Sequence, residues 1–196
     1  MGPIELLAPT RLWSRDEVLA RPCPVPREPG VYAWYFRQIP PSVPTDGCIR
    51  CGPYTLLYLG IAPKAPPTNG AASSRQRLSH RVRYHYRGNA EGSTLRLTLG
   101  CLLAADLGLE FRRVGTGKRL TFAAGEAALS AWMGANAFVS WLADPTPWKL
   151  EARLIRDLCL PPNLDQNDGH PFQTTLTEVR RRARARAREL PVLSRR

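Results

Sequence analysis

Two short runs of β-branched and aromatic residues dominate the hydrophobic pattern in the first third of the chain. The first spans Val31 to Phe36 and the second spans Tyr54 to Ile61. Such residues favour strands, and short, mostly apolar runs are typical of strands buried on both faces. A loop rich in proline separates the runs, so we predict an antiparallel pair with an elaborated connection. Each strand carries a tyrosine close to a glycine, in Gly30-Val31-Tyr32 and in Tyr58-Leu59-Gly60.

Helical spacing of apolar positions and capping signals account for most of the remaining chain. The capping box from Ser14 to Glu17 predicts a short helix that ends before Pro22. Residues 62–73 are rich in proline, glycine and alanine, which predicts a flexible surface loop. We further predict helices from Ser73 or Ser74 to Arg87, from Ser93 or Thr94 to about Ala104, from Glu126 to Met133, from Pro147 to before Pro161 and from Thr175 to Leu190, with strands at Arg119 to Phe122 and Phe138 to Leu142.

These elements predict an α+β fold in which a small central antiparallel sheet is flanked by helices. A chain of 196 residues is long enough for one domain with a substantial core. We divide the chain into an N-terminal helix with a proline-rich lead-in (residues 1–29), a domain with insertions that contains the sheet (30–165), and a C-terminal loop with an arginine-rich helix (166–196).

The net charge of the chain indicates what kind of partner it binds. The chain has 28 lysines and arginines against 16 acidic residues, a formal charge of +12. This excess indicates a polyanionic partner, nucleic acid before an anionic membrane surface. Residues 178–196 hold eight arginines and two glutamates, half of the excess. We take Arg180, Arg184 and Arg188 as candidate nucleic-acid contacts, and a solvated basic helix is the alternative.

Cysteine usage and the apolar runs bear on location. No apolar run approaches the roughly 20 residues of a membrane span, and residues 1–5 lack the basic start of a signal peptide. Five scattered cysteines favour reduced thiols. We therefore expect a cytoplasmic protein without a membrane partner. Cys48-Ile49-Arg50-Cys51 is half of a zinc ribbon, but no second cysteine pair follows it.

Gly30-Val31-Tyr32 and Tyr58-Leu59-Gly60 resemble the two signature strands of the GIY-YIG nuclease superfamily, with Val and Leu in place of its two isoleucines. On their own, the two tripeptides fit a pair of core tyrosines equally well. Leu78 to His85 adds a resemblance to the family's helix motif, in which an arginine three positions after a leucine precedes an apolar residue. That arginine is Arg81 in this chain.

Arg81 and His85 lie four positions apart on the predicted helix and share one face, which Arg77 extends. A guanidinium beside an imidazole suits a phosphodiester, because one supplies fixed charge to the non-bridging oxygens and the other supplies a proton donor. Five arginines lie between residues 75 and 87, so a solvated basic helix is the alternative.

The most specific element of the resemblance is Glu151 with Asn163, which follows twelve positions later and next to two prolines. The family has a glutamate in a helix that reads E-x-x-L-I, followed by an asparagine. Glu151 shares a helical face with Leu154 and Ile155, and a carboxylate on an apolar face needs a partner. A metal ion is one candidate partner, and an arginine in a salt bridge is the other.

The resemblance covers Gly30 to Asn163 and implies an endonuclease that hydrolyses phosphodiester bonds in DNA with one divalent metal ion. It implies Mg²⁺, for which Mn²⁺ can substitute, with Glu151 as the protein ligand. One tyrosine, Tyr32 in preference to Tyr58, is the implied general base, and the other orients the water or the phosphate. The other implied roles are charge stabilisation for Arg81, phosphate binding or protonation for His85, and support of the Glu151 region or of the substrate for Asn163.

This chain departs from the family pattern after the second signature. The lysine that follows it in the excision-repair branch is Ile61 here, and Lys64, a further candidate nucleic-acid contact, is the nearest replacement. The motif spacings are closer to those of the restriction-enzyme branch. Residues 163–172 cluster several polar side chains, and this segment is either a connecting loop or a support for the site through Asn167 or His170.

Other functions are compatible with the same pattern. A nucleic-acid-binding module with the nuclease fold and little or no cleavage is the main alternative, and RNA is an alternative substrate. A homodimer is one way to cut both strands of a duplex. Every implied site position holds the residue type that the resemblance requires, which favours the enzyme.

Overall fold

The computed structural model describes residues 3–69 and 74–194, which form seven helices and six strands. In chain order the elements are α1 (Ile4–Leu7), α2 (Arg15–Leu19), β1 (Gly30–Phe36), β2 (Arg50–Cys51), β3 (Tyr54–Ala62), α3 (Leu78–Arg87), α4 (Thr94–Leu102), β4 (Arg112–Val114), β5 (Arg119–Thr121), α5 (Gly125–Asn136), β6 (Ala137–Ala143), α6 (Pro147–Asp157) and α7 (Phe172–Glu189).

The central sheet has four antiparallel strands in the order β2-β3-β1-β6, which confirms the predicted α+β fold. The middle strand β1 is buried along its whole length, because a strand pairs with it on each side and helices cover both faces. Tyr32 on β1 stands opposite Gly60 on β3 and Trp141 on β6. The two remaining strands, β4 and β5, form a separate hairpin.

Alternate side chains of β1 enter two different hydrophobic clusters, one on each face of the sheet. Tyr32 and Trp34 belong to the cluster that includes the buried residues of α3. Val31 and Ala33 belong to the other cluster, which includes the buried residues of α6. Helices α3 and α6 therefore cover opposite faces, and a site built from both has to lie at an edge or an end of the sheet.

The helices with strong capping signals form where the sequence predicts them. Ser14 and Glu17 make the complete capping box of α2. The Ser93 hydroxyl accepts a hydrogen bond from the backbone N–H of Arg96 at the start of α4. Pro147 lies in the first turn of α6, as predicted.

The start of α3 differs from the prediction. The helix begins at Leu78 and not at Ser74, because the backbone N–H of Leu78 donates to the carbonyl oxygen of Glu28 in the segment before β1. Ser73, the other predicted cap, and part of the predicted loop 62–73 lie outside the described residues. The sequence pattern also does not predict α1, β2 or β4, since such short elements carry too little periodicity.

A buried arginine joins three helices on the α3 side of the sheet. The side chain of Arg96 in α4 is fully buried. Its Nε and Nη2 atoms donate to Oε2 of Glu126 in α5 at 3.0 and 2.6 Å, and its Nη1 donates to the backbone carbonyl oxygen of His85 in α3 at 3.2 Å. One guanidinium therefore fixes α3, α4 and α5 relative to one another.

The two cysteines of the half zinc ribbon have different neighbours. The thiol of Cys48 lies 3.5 Å from the sulfur of Cys159, whereas the thiol of Cys51 donates to the carbonyl oxygen of Pro9 at 3.8 Å. Within residues 3–69 and 74–194, no three His, Cys, Asp or Glu side chains converge as a metal site. In the same ranges, no helix is long and apolar enough to cross a membrane.

Candidate active site

A cavity of about 870 Å³ opens at the end of the sheet where β1 begins and β3 ends. Its walls come from β1, β3, α3 and α6 and from the loops that follow β3 and α6. The fold thus brings residues predicted from distant parts of the sequence into one place. Those that line the cavity are Tyr32, Tyr58, Lys64, Arg81, Glu151 and Asn163.

The two signature glycines leave room for groups that approach their backbones closely. Gly60 lies opposite Tyr32, and a Cβ atom at Gly60 would stand 2.5 Å from the Tyr32 hydroxyl oxygen. A Cβ atom at Gly30 would collide with the backbone oxygen of Leu142 and stand 2.6 Å from Cδ1 of Leu78. A larger residue at either position would therefore displace Tyr32 or α3.

A buried chain of hydrogen bonds holds the Tyr32 hydroxyl from behind. Tyr32 Oη lies 2.8 Å from Nε2 of His85, and Nδ1 of His85 lies 2.7 Å from the Ser93 hydroxyl. Burial, with the charges of Arg81 and Arg96, lowers the pKa of His85 well below its ordinary value, so the ring is neutral. The ring is fully buried and does not line the cavity. The structure therefore corrects the expectation that His85 binds or protonates the phosphate directly, because its ring contacts Tyr32 instead.

Arg81 reaches the same hydroxyl from the side of α3. Its Nε donates to Tyr32 Oη at 3.4 Å, and its Nη1 donates to the carbonyl oxygen of Gly92 at 2.7 Å. Burial acts to lower the pKa of Arg81, but Tyr32 and the other nearby tyrosines outweigh it and the net shift is upward. Arg81 is therefore a fixed positive charge in the cavity wall.

Burial decides the protonation of the two tyrosines. It raises the pKa of Tyr32 to about 12, against the opposing effect of Arg81. The pKa of Tyr58 is raised further, by burial first and then by Tyr32. Both hydroxyls are thus protonated at neutral pH, and Tyr32 is the easier of the two to ionise.

Glu151 presents its carboxylate to the cavity from α6. Burial first, and then the nearby carboxylate of Asp165, raise the pKa of Glu151 to about 7, while Lys64 and a hydrogen bond with Gln166 act to lower it. No arginine or lysine lies within salt-bridge distance of Glu151 in the part of the chain that the structure describes. The arginine partner considered from the sequence is therefore not observed.

The groups around Glu151 fit a magnesium ion. Mg²⁺ prefers oxygen ligands, keeps most of its waters and needs one or two carboxylates rather than a cage of protein ligands. Glu151 and Asp165 supply two carboxylates in one wall of the cavity, and Gln166 adds an amide oxygen. Burial contributes most to the raised pKa of Glu151 and the charge of Asp165 adds to it, and a cation beside the two carboxylates would offset both effects.

Asn163 pairs with an open edge of the sheet. Strand β2 pairs with β3 at Tyr54 and Thr55, and within the described residues no strand pairs with β3 at Leu59 on that side. Oδ1 of Asn163 accepts a hydrogen bond from the Leu59 N–H at 3.0 Å, and its Nδ2 donates to the Leu59 carbonyl oxygen at 2.9 Å. The side-chain amide replaces a strand there and fixes the loop after α6 beside Tyr58.

Comparison with models of protein families identifies residues 30–182 as a GIY-YIG catalytic domain. The chain belongs to the GIY-YIG family. Membership implies a nuclease-type function with nucleic acid as the substrate. The match names no branch, so the closer likeness to the restriction-enzyme branch stays a prediction, as does the division of the chain at residue 165. Comparisons with curated proteins and with solved structures found no match.

In this GIY-YIG domain we expect Gly60→Ala to damage both stability and the site. The added methyl group collides with the Tyr32 ring, so we expect a loss of about 2 kcal/mol in the free energy of unfolding and slower nucleic-acid cleavage. Urea unfolding and an assay of plasmid nicking measure the two effects. Gly169→Ala is the matched control, because a Cβ atom at Gly169 meets no atom of the described residues within 4 Å. Equal behaviour of the two variants would contradict the packing role of Gly60.

The residues predicted to contact nucleic acid differ in where they lie relative to the cavity. Lys64 lines the cavity, whereas Arg77 is exposed at the start of α3 and lines a different pocket, so it does not extend the Arg81 face. On α7, Arg180 and Arg184 are half-buried and Arg188 is exposed, and none of the three lines the cavity. Their contacts with nucleic acid stay predictions.

The sequence interpretation misses three residues around the site. Asp165 and Gln166 line the cavity, and Ser93 bonds to His85. Asp165 stands in the polar cluster 163–172 and could have been found there, two positions after Asn163. Ser93 has no sequence signal beyond its capping role.

Within the polar cluster 163–172, Asn167 and His170 differ in their contacts. Asn167 is buried and donates to the carbonyl oxygens of Leu160 and Asn163, so it supports the loop that Asn163 fixes. His170 contacts the sulfur of Cys159 and does not line the cavity.

Proposed function

We propose that this GIY-YIG protein is a metal-dependent endonuclease that hydrolyses phosphodiester bonds in DNA. The observation that carries the proposal is the convergence of Tyr32, Arg81 and Glu151 on one cavity. These side chains offer what the reaction needs: an acceptor for the proton of the attacking water, a fixed positive charge for the phosphate oxygens, and a ligand for a divalent ion. The formal charge of +12 suits a polyanionic substrate.

Arg81 stabilises the charge that develops on the phosphoryl oxygens. Its Nε and Nη1 are already engaged with Tyr32 and Gly92, so the guanidinium is positioned before the substrate binds. Such preorganisation is what makes a charged group effective in a transition state.

Tyr32 accepts the proton of the attacking water as the phenolate, after its own hydroxyl proton has passed to water in the cavity. The Ser93 hydroxyl accepts a hydrogen bond from the backbone N–H of Arg96 and donates one to Nδ1 of His85. The imidazole then carries its proton on Nε2 and donates it to Tyr32 Oη. With this tautomer the Tyr32 oxygen receives hydrogen bonds from both His85 and Arg81, which stabilises the phenolate against the effect of burial. Tyr58 stays protonated and orients the water or the phosphate.

Glu151 holds the divalent ion, Mg²⁺ or its substitute Mn²⁺. When bound, such an ion supplies positive charge to the phosphate oxygens and lowers the pKa of a coordinated water. Asp165 strengthens the attraction for the ion through its own charge beside Glu151. Asn163 and Asn167 keep the Asp165 loop in place against β3.

Supercoiled plasmid incubated with the full-length protein tests the proposal. We expect nicked and linear forms with Mg²⁺ or Mn²⁺ and intact plasmid with EDTA. Arg81→Ala, purified in the same way, should cut at least about 100-fold more slowly, which excludes a co-purifying nuclease. A labelled RNA substrate in a parallel reaction compares the two nucleic acids. A plasmid that stays intact with both ions would point to the binding module instead of the enzyme.

A further inference from the structure

A second pocket, with a volume of about 1040 Å³, lies against α3 and the segment that precedes β1. Its walls are strongly basic, and the described residues that line it include no aspartate or glutamate. Neither the sequence pattern nor the family match assigns a role to this pocket as a whole. Its lining arginines are Arg21, Arg27, Arg75, Arg77, Arg83 and Arg87.

None of the six arginines has a salt bridge to another described residue. On α7, by contrast, Arg181 and Arg182 both pair with Glu178. Like charges gathered in one pocket repel one another unless an anion neutralises them. Arg83 also lacks a partner, because its Nε is shielded from solvent and finds no hydrogen-bond acceptor among the described residues.

The basic pocket adjoins the active-site cavity. Gln76 lines both, and its side-chain nitrogen lies 3.5 Å from Nδ1 of His80 in the wall of the basic pocket. Arg81 in the cavity wall and Arg87 in the wall of the basic pocket are on the same helix, about 9 Å apart along its axis. Nucleotides of one strand rise about 3.4 Å each along a duplex, so two or three nucleotides cover this length.

We infer that the basic pocket binds the backbone phosphates that flank the phosphodiester held in the active-site cavity. The inference rests on the proposed function for the identity of the cleaved strand. A nucleic-acid strand carries one negative charge at each nucleotide, which suits arginines contributed by the segment before β1, the approach to α3 and α3 itself. A single small anion would leave most of these arginines without a partner.

Two double variants in a Glu151→Gln background, which leaves the DNA uncut, test the inference by binding. Arg83→Gln with Arg87→Gln removes two pocket charges. Arg37→Gln with Arg50→Gln removes two exposed charges at the opposite end of the sheet. With a fluorescent DNA duplex at several salt concentrations, we expect the pocket variant to bind at least about 10-fold more weakly at low salt. Its slope of log K against log salt should fall by about two units, and that of the control should not change.

Two further comparisons distinguish the loss of charge from misfolding, and the role of the pocket in DNA binding from the hydrolysis step. Arg83→Lys with Arg87→Lys keeps both charges and should keep the salt slope. With Glu151 restored, the Gln pocket variant should hydrolyse bis(p-nitrophenyl) phosphate at the wild-type rate, because this substrate has no flanking phosphates, and should cut DNA with a raised KM.

Equal loss of binding in the pocket and control variants, or an unchanged KM for DNA in an active enzyme, would overturn the inference. If the wild-type protein hydrolyses neither substrate, the proposed function fails, while the binding comparison still decides whether the pocket holds DNA. The two conclusions can therefore fail separately.

Discussion

Glu151→Gln should lower the rate of DNA cleavage by about 1000-fold or more. The amide keeps the shape of the carboxyl group but has no charge with which to hold a divalent ion. Tyr32 and Arg81 contact each other and not Glu151, so the rest of the cavity should stay in place. Initial rates of plasmid nicking at saturating Mg²⁺ measure the effect. Wild-type rates in this variant would remove Glu151 from the reaction and the proposed mechanism with it.

The same substitution should stabilise the metal-free protein at alkaline pH. The pKa of Glu151 is about 7 in the folded protein, against an ordinary value of 4.5, so the folded state binds the proton more tightly than the unfolded state. The stability that comes from this proton is complete below about pH 4.5 and is lost as the pH rises through about 7. Glutamine does not titrate, so the variant does not lose stability as the pH rises through this range.

In EDTA at pH 8 we therefore expect the Glu151→Gln variant to be more stable than wild type by about 2 kcal/mol. The free energies of unfolding of the two proteins should become equal near pH 4.5, where the wild-type carboxyl is protonated. Adding Mg²⁺ at pH 8 should stabilise the wild type and leave the variant unchanged. If the difference in the free energy of unfolding does not depend on pH, burial of the Glu151 charge is not its cause.

Arg96→Met should lower the free energy of unfolding by about 3–5 kcal/mol, the usual result of removing one partner from a buried ion pair. The Glu126 side chain is only 15% exposed, and its carboxylate also accepts hydrogen bonds from the backbone N–H groups of Ala90 and Phe122. It would keep those two bonds but lose the one cation that pairs with it in the described part of the chain. The backbone carbonyl of His85 would lose a donor as well.

Urea unfolding at pH 7 measures this change, with Arg182→Met as the control. Arg182 is exposed, and its partner Glu178 keeps a second arginine, Arg181, so the control should unfold at the wild-type urea concentration. Equal midpoints for Arg96→Met and the control would mean that Arg96 does not join the three helices energetically.

The predictable part of the site lies on elements that local signals define. Tyr32 and Tyr58 stand in apolar β-prone runs, and Glu151 stands in a helix whose start is marked by Pro147. In each case the position along the element was enough to place the side chain near the others, once the family resemblance set their order.

The burial of individual side chains and their contacts with distant segments could not be predicted in the same way. His85 shares a helical face with Arg81, yet α4 covers it and turns it from a substrate contact into a support for Tyr32. Asn163 has its partner at Leu59 because β2 is too short to reach that far along the edge. The start of α3 depends on a carbonyl group of Glu28, fifty positions earlier in the chain. All three depend on contacts between segments distant in sequence.

The placement of α3 and α6 on opposite faces of the sheet has a consequence for how the cavity can vary. Arg81 is fixed to the hydrophobic layer on the α3 side and Glu151 to the layer on the α6 side. The distance between the guanidinium and the carboxylate therefore depends on how far α3 and α6 stand apart across the sheet. Ala33 of β1 is fully buried and belongs to the hydrophobic cluster that includes the buried residues of α6. A bulkier side chain there would lift α6 and widen the active site without touching a single residue that lines it.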